Sequence, residues 1–332
     1  MNLVEVNDIN RDAWAELARR SSVATWFQTE EAYRFFDSLS FLWAFAFGVE
    51  NDGKLKGIVV GYVQKDGGRL KRFFSRRAII TGGPLLADDI SDDELRCLLN
   101  TLKDRLKQKV IYIETRNFND YSHWRGVFGE CGFGYESHYD IHVDTSSMDV
   151  VNERMGKSRK RDIRVSMRDG ASVVVEPTIE QVRSCYSILR ELYLTKVKTP
   201  LFPIEFFEKL YLMDSSAFLL VEYEGKIIGG TVCVGIGGKI LFEMYACGKD
   251  GVYKNIFPSE LATYAGLQYA AEQGCLRFDM MGAGKPDDGG YGVRDFKLKF
   301  GGKLVEYGRY HYVCNHLLYG IGKLGVKILK KA

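Results

Sequence analysis

The sequence predicts an α/β protein made of two similar halves. The segment Val49–Gly57 reads V-E-N-D-G-K-L-K-G, and Val221–Gly229 reads V-E-Y-E-G-K-I-I-G. In both copies a short turn containing Gly and Lys joins two apolar runs, which is the pattern of a β-hairpin. The same order of further elements follows each hairpin. Elements repeated at half-chain spacing indicate a duplicated domain.

The elements that follow each hairpin are a helix and then a strand. Helical patterns occur at Asp93–Lys107 and again at Ser259–Gln273. The runs Val110–Glu114 and Cys275–Met280 come after them and predict strands. A single hairpin with this turn sequence is common. Two copies followed by the same succession of elements favour duplication.

Length and composition fit two ordinary domains. The chain has 332 residues, of which 46% are hydrophobic and 27% charged, so it can bury two apolar cores. A cluster of polar turn residues at Asp144–Val151 indicates the boundary. The sequence therefore predicts a first domain over residues 1–150 and a second over residues 151–332, with an amphipathic helix from about residue 315.

Charge and cysteine content narrow the classes of function. A formal net charge of +3 is too small for a general nucleic-acid coat, so any anion binding must come from local clusters of Lys and Arg. The seven cysteines form an odd set without a C-x-x-C pair, which argues against a disulfide framework and a zinc site. No stretch has the roughly 18 apolar residues of a membrane span, and we expect a cytoplasmic protein.

The densest basic cluster lies just after the predicted boundary. At about 100° per residue in a helix, its cations form one stripe, which consists of Lys157, Arg161, Arg164 and Arg168. Such a stripe is either a solvated helix face or a binding surface for a polyanion. Like charges at these spacings repel one another, and an RNA backbone or a pyrophosphate would relieve that repulsion.

A second cluster is the glycine-rich segment Gly289–Gly302. Its end reads F-K-L-K-F-G-G from Phe296 onward. The string F-K-x-x-F-G-G resembles the signature of the Fem family of non-ribosomal peptidyltransferases, which attach amino acids to peptidoglycan precursors from aminoacyl-tRNA. Further stretches match the family in chain order: Trp26-Phe27-Gln28, Gly82-Gly83-Pro84, Arg161-Asp162-Ile163-Arg164, Tyr193–Lys198, Phe257–Leu261 and Phe278–Gly282.

The resemblance implies a fold. Family members look like two tandem acetyltransferase (GNAT)-like domains with mixed central sheets flanked by helices, which agrees with the duplication read from the hairpins. The sequence contains no inserted helical hairpin of the kind that some members use as an arm. The resemblance is therefore to the compact members.

The resemblance also implies site residues. Lys297 matches the family lysine that stabilises negative charge during acyl transfer, with Phe296 and Asp279 as its expected catalytic neighbours. A fixed ammonium can stabilise the oxyanion that forms when an amine attacks an ester. The expected substrate-binding residues are Lys198, Arg294, Tyr291 and Gln28, and the stripe of Lys157, Arg161, Arg164 and Arg168 is the expected polyanion-binding surface.

The expected partners are a peptidoglycan precursor, nucleotide- or lipid-linked, and tRNA. No tightly bound cofactor is expected, and aminoacyl-tRNA is the expected co-substrate. The phosphate-binding loop Q/R-x-x-G-x-G/A of coenzyme A-dependent acetyltransferases is absent, and its nearest candidate, Gly248–Asn255, lacks the spacing. Acyl-CoA is therefore the alternative donor.

Two other functions remain open at the sequence level. The chain could be an acyl-CoA-dependent N-acyltransferase that acts on an amino sugar in surface polysaccharide synthesis. It could also be a non-catalytic module that binds a precursor or RNA, because a fold alone does not specify a reaction.

Two further patterns favour structural interpretations. His138, Asp140, His142 and Asp144 alternate along a predicted strand. They could suggest a metal site, but a polar strand face explains them, and we expect no metal. Near the C-terminus, apolar residues face one side of a helix (Leu317, Leu318, Ile321, Leu324, Ile328, Leu329) and lysines the other (Lys323, Lys327, Lys330, Lys331). This helix either packs on the protein or contacts the inner face of the membrane.

Overall fold

The structure, a computed structural model, describes residues 1–64, 76–288 and 292–329. Its contacts divide the chain into two units. Unit 1 comprises Met1–His138 together with the chain from Tyr307, and unit 2 comprises Tyr139–Glu306. The sequence predicted a division near residue 150, with all later residues in the second domain. The units divide elsewhere because strand pairing assigns Tyr139–Asp144 to the sheet of unit 2 and Arg309–Val313 to that of unit 1.

Unit 1 contains a mixed sheet flanked by helices. Its strands are β1 (Asn2–Glu5), β2 (Leu42–Asn51), β3 (Lys54–Gln64), β4 (Arg77–Thr81), β5 (Leu85–Leu86), β6 (Tyr112–Arg116), β7 (Gly134–Glu136) and β15 (Arg309–Val313). Its helices are α1 (Arg11–Arg20), α2 (Glu30–Ser38), α3 (Asp92–Leu106), α4 (Arg125–Glu130) and α11 (His316–Leu329). The strand order is β1-β2-β3-β4-β6-β15-β7, with β5 beside β3. Among the described strand pairs of this sheet, only β4 and β6 run parallel.

Unit 2 has the same kind of architecture. Its strands are β8 (Tyr139–Asp144), β9 (Ser172–Val174), β10 (Ser216–Tyr223), β11 (Lys226–Ile236), β12 (Ile240–Gly248), β13 (Arg277–Asp279) and β14 (Lys303–Glu306). Its helices are α5 (Met148–Arg154), α6 (Lys157–Arg168), α7 (Ile179–Leu192), α8 (Ile204–Tyr211), α9 (Pro258–Glu272) and α10 (Gly292–Leu298). The strand order is β14-β8-β13-β12-β11-β10-β9, and β12 pairs with β13 in parallel.

Both predicted hairpins are present. β2 pairs with β3, and β10 with β11, each in antiparallel register. The two turn residues have positive φ in each hairpin, 49° and 70° at Asp52-Gly53 and 50° and 69° at Glu224-Gly225. Such a turn matches the twist of paired strands. The strand register also shifts at the same point of each copy, after Val49 and after Val221. The two hairpins thus match residue by residue, in agreement with the duplication predicted from sequence.

Each sheet carries a long helix on a buried apolar layer. In α3 the buried residues follow helical spacing, with Leu95, Leu98, Leu99 and Leu102 in the core. In α9 the buried residues are mostly small, so this helix approaches the sheet closely. Both helices lie within one residue of their predicted bounds. Within the described ranges, none of the helices combines the length and apolarity needed to cross a membrane.

Candidate active site

The turn that leaves β13 organises the candidate site in unit 2. Asp279, the last residue of this strand, is fully buried. Its Oδ1 accepts a 2.8 Å hydrogen bond from the backbone N–H of Met281. Met281 has a φ of +52°, which few residues with a side chain adopt. The carboxylate therefore helps to hold a backbone turn in an uncommon conformation.

Lys297 of α10 binds to this turn. Its Nζ donates hydrogen bonds to the carbonyl oxygens of Met280, Met281 and Gly282, the last two at 3.0 Å. An ammonium group has three N–H donors, so the three carbonyls satisfy all of them. Because Gly282 is exposed, the site of this ammonium reaches the protein surface.

Buried acids from three strands act on the Lys297 ammonium. Asp140 lies on β8, Glu243 on β12 and Asp279 on β13, and each is at most 5% exposed. Burial lowers the pKa of Lys297 below that of an ordinary lysine, and the charges of Glu243, Asp140 and Asp279 oppose this shift. The site thus holds a cation whose protonation depends on the balance between desolvation and nearby carboxylates.

Glu243 is the acid with the largest effect on Lys297. Its Oε1 accepts hydrogen bonds from the hydroxyl groups of Thr263 at 2.9 Å and Thr231 at 3.3 Å. Burial raises the pKa of Glu243, whereas Lys297 and both threonines lower it. The two hydroxyls fix the carboxyl group, and Lys297 supplies the nearby positive charge that a buried carboxylate requires.

His142 faces Asp279 across the sheet. The antiparallel register of β8 and β13 sets these residues opposite one another, and His142 Nε2 lies 3.0 Å from Asp279 Oδ2. Arg277 approaches the same oxygen at 3.8 Å. Across the residues that the structure describes, no three His, Cys, Asp or Glu side chains form a group that could hold a metal ion.

The F-K-x-x-F-G-G segment forms the end of α10 and the turn after it. The backbone N–H of Gly156 donates a 2.9 Å hydrogen bond to the Lys299 carbonyl, which ties this turn to the start of α6. Gly301 has a φ of +85°, and a Cβ there would lie 2.6 Å from the carbonyl carbon and oxygen of Arg154. Glycine is therefore required at this position for both conformation and space.

The expected substrate-binding residues differ in their surroundings. Arg294 donates from Nε to the Ala283 carbonyl at 2.8 Å, and its guanidinium lies 4.9 Å from the Tyr139 ring centre. Lys198 is exposed, has a φ of +55° and follows the irregular helix Tyr193–Val197. Its side chain makes no hydrogen bond or ion pair with another described residue. Tyr291 lies outside the described residues.

Gln28, the fourth expected substrate-binding residue, is fully buried in unit 1. Its side-chain oxygen accepts from the Thr25 backbone N–H at 2.7 Å. Its amide nitrogen donates to the carbonyls of Gly82 and Gly83, both at 2.9 Å, and contacts the Tyr121 hydroxyl at 3.1 Å. In this conformation Gln28 binds the Gly82-Gly83 turn, so the two family-like motifs of unit 1 contact each other.

The stripe of Lys157, Arg161, Arg164 and Arg168 lies on α6 and is exposed. Arg161 pairs with Asp162 at 2.9 Å, and Arg168 pairs with Asp169 at 2.7 Å. Lys157 and Arg164 have no ion pair with any residue in the described part of the chain. Two of the four charges are thus available to an anion without competition from an adjacent carboxylate.

A groove of about 430 Å³ opens beside this stripe. Cations and apolar side chains share its wall, which is lined by Asn152, Met155, Lys160, Ile163, Arg164, Met167 and Tyr264. A planar apolar group with an adjacent negative charge fits such a lining, because an aromatic ring stacks and an arginine pairs.

Two residues of unit 2 were missed by the sequence analysis. Glu243 is the single charge within the apolar strand β12, and an acid in such a run is a signal for a buried polar site. Arg159 is 5% exposed and lies on the inner side of α6 with Ile163 and Ser166. The charge pattern of that helix indicated only its outward-facing stripe.

Comparison with solved structures defines the fold class. FemX superposes with a TM-score of 0.74 at 14% identity, and the match covers 97% of this chain and 99% of that chain. A tandem GNAT protein from the clavulanic acid biosynthesis pathway gives 0.59 at 10% identity, with 95% and 98% covered. L-PGS from Bacillus licheniformis gives 0.57 at 12% identity, with 97% of both chains covered. The protein has the tandem GNAT fold, as predicted.

The sequence comparison matches part of the chain to a known family. Residues 228–327 match the model of the FemAB family. This range includes β12, β13, α10 and the F-K-x-x-F-G-G segment, so the resemblance to the Fem family is confirmed. A search of curated proteins found no match.

Proposed function

We propose that the protein is a Fem-type aminoacyltransferase that passes an activated aminoacyl group to an amine of a peptidoglycan precursor. The main support is the Lys297 ammonium, held on the β13 turn among buried acids within the part of the chain that matches the FemAB family. FemX and L-PGS share the fold. The cell-wall precursor and the tRNA donor are our assignments from the family.

The reaction needs a cation at the developing oxyanion. The acceptor nitrogen forms a bond to the ester carbonyl carbon, the ester C–O bond breaks, and one amine proton ends on the leaving hydroxyl. In the tetrahedral intermediate the carbonyl oxygen carries the negative charge. Lys297 can donate to this oxygen by exchanging one of its three carbonyl partners, and the exposed Gly282 is the partner most readily released.

The acids favour the charged form of Lys297 and so oppose the effect of its burial. Without Glu243 and Asp140, burial alone would favour the neutral amine, which is a poorer donor to an oxyanion. Asp279 acts on the same group through the backbone, since it binds the N–H of Met281 within the turn that holds Lys297. Asp279 thus supports the site without exposure to solvent.

We expect the transfer rate to fall on the alkaline side of its pH profile. The protonated form of Lys297 is the active one, and its pKa lies below the ordinary lysine value of about 10.4. The loss should therefore begin at a lower pH than for an exposed lysine. Profiles of kcat for the wild type and Lys297→Arg test this, because arginine stays protonated and should remove the alkaline decline. The same decline in both proteins would contradict this role.

The donor can be identified directly. The protein is incubated with charged tRNA or with acyl-CoA, together with nucleotide-linked and lipid-linked precursor amines, and the product mass is followed. We expect product with charged tRNA and no saturable binding of acyl-CoA by calorimetry. Transfer from acyl-CoA to an amino sugar would instead support the alternative function, an N-acyltransferase with the same fold. No product with any pair would favour a binding module.

The outer stripe of α6 is the proposed tRNA contact. We expect the double variant Lys157→Gln, Arg164→Gln to bind tRNA more weakly, because these two cations have no carboxylate partner. The slope of log affinity against log salt concentration should decrease by the contribution of about two phosphate contacts. Titrations of labelled tRNA at several salt concentrations measure both effects. The acceptor KM should barely change.

A matched double variant on the same helix provides the control. Arg161→Gln with Arg168→Gln removes the same charge from cations already paired with Asp162 and Asp169, and should reduce tRNA affinity less. A rise in acceptor KM with unchanged tRNA affinity would assign the stripe to the pyrophosphate of the precursor. If neither quantity changes, the stripe is a solvated helix face.

A further inference from the structure

Arg159 lies on the inner side of α6, opposite the exposed stripe. Its side chain is 7% exposed, and its guanidinium forms an ion pair with Glu260 in the first turn of α9. Burial raises the pKa of Glu260, and Arg159 opposes that shift. A guanidinium taken out of water needs such a partner, so Glu260 fixes Arg159 at this position.

The same guanidinium stacks on two aromatic rings of the F-K-x-x-F-G-G segment. It lies 4.3 Å from the ring centre of Phe296 and 5.1 Å from that of Phe300. The two rings also contact each other, with centres 5.4 Å apart. Arginine suits this position because a planar cation can pair with a carboxylate at its edge while its face covers an aromatic ring.

These contacts hold one residue before and one residue after Lys297. Helix α10 has seven residues, and a helix of that length has little stability of its own. Its position must therefore come from contacts with the rest of unit 2. Phe296 precedes Lys297, and Phe300 follows one turn later, so the stacked arginine fixes this short helix next to the ammonium.

We infer that Arg159 is a positioning residue for Lys297, acting through Phe296 and Phe300. This inference rests on one element of the proposed function, namely that Lys297 donates to the oxyanion. The chain of contacts runs from Glu260 to Arg159, from Arg159 to the two rings, and from α10 to the carbonyls of the β13 turn. It explains why the motif has an aromatic residue on each side of its lysine.

The test is Arg159→Lys, which keeps a cation beside Glu260 and loses the flat stacking face. We expect kcat to fall about 10-fold while the acceptor KM changes less than about twofold, since displacement of a catalytic group affects the chemical step. Arg183→Lys is the control, because Arg183 is an exposed arginine of the same unit, paired with Glu208 at 2.7 Å. It should leave kcat unchanged.

A second readout does not depend on transfer. Protein labelled at lysine is titrated by NMR, and the Lys297 signal is assigned by its loss in Lys297→Met. The facing acids Glu243, Asp140 and Asp279 are unchanged in the variant, so a looser, better hydrated ammonium should titrate at a higher pH than in the wild type. Phe296→Leu, which removes one aromatic face, should move this titration in the same direction.

The outcomes separate the two proposals. If the wild type transfers nothing from any donor, the proposed function fails, yet the Lys297 titration still decides whether Arg159 positions this group. An unchanged Lys297 titration in both Arg159→Lys and Phe296→Leu would overturn the inference. So would a lower melting temperature with unchanged kcat and titration, because Arg159 would then stabilise the fold alone.

Discussion

Replacing Lys297 with methionine is expected to lower kcat for transfer by about 100-fold or more, the usual effect of removing one donor to an oxyanion. Methionine has a similar length and no charge. The variant should still fold but melt at a lower temperature, because methionine leaves the buried Glu243 without its nearby cation. Steady-state kinetics with the donor identified above, together with thermal melts, measure both quantities.

Lys299→Met is the matched control for this variant. Lys299 lies two residues further on, its side chain is exposed, and its contact with the start of α6 is made by its carbonyl group. Its substitution should leave kcat within about twofold. Full turnover in Lys297→Met would exclude Lys297 from the mechanism. A raised acceptor KM at unchanged kcat would make it a binding residue.

Gly301→Ala is expected to destabilise unit 2 by about 3 kcal/mol, because it adds a strained backbone conformation to a steric overlap. The φ of +85° is unfavourable for alanine, and the new Cβ would lie 2.6 Å from the backbone of Arg154. Urea unfolding followed by circular dichroism measures the loss. Fluorescence is less suitable, since all four tryptophans lie in unit 1: Trp14, Trp26, Trp43 and Trp124.

Gly274→Ala separates the two causes. Gly274 has a φ of +69°, but a Cβ there would meet no atom within 4 Å. This variant should cost about 1 kcal/mol, from the backbone conformation alone. If both variants are destabilised equally, the close approach of Gly301 to Arg154 contributes nothing to the stability of unit 2.

The parts of the fold that the sequence predicted are those set by local patterns. The turn residues Asp52-Gly53 and Glu224-Gly225 determine their hairpins because only certain residues adopt positive φ without strain. The helical period of α3 likewise follows from the face that this helix buries. Pairing between distant segments leaves no such local pattern, and the return of β15 to the sheet of unit 1 was therefore not predicted.

The sequence predicted only those residues of the candidate site that belong to a recognisable motif. Lys297 and Asp279 came from the family resemblance, whereas the carbonyl turn that binds Lys297 depends on the positive φ of Met281 and cannot be read from residue types. Glu243 and Arg159 were missed because each becomes important only through a tertiary partner. Charge patterning found the cations that face water and overlooked the buried one.

The position of β15 has a consequence for how the chain is made. This strand pairs with β6 on one side and β7 on the other, so it occupies a place inside the sheet of unit 1. A ribosome releases β6 and β7 first, then all of Tyr139–Glu306, and β15 last. Unit 2 is therefore fully synthesised while unit 1 still lacks an internal strand, and the edges of β6 and β7 that β15 will cover stay open until β15 emerges.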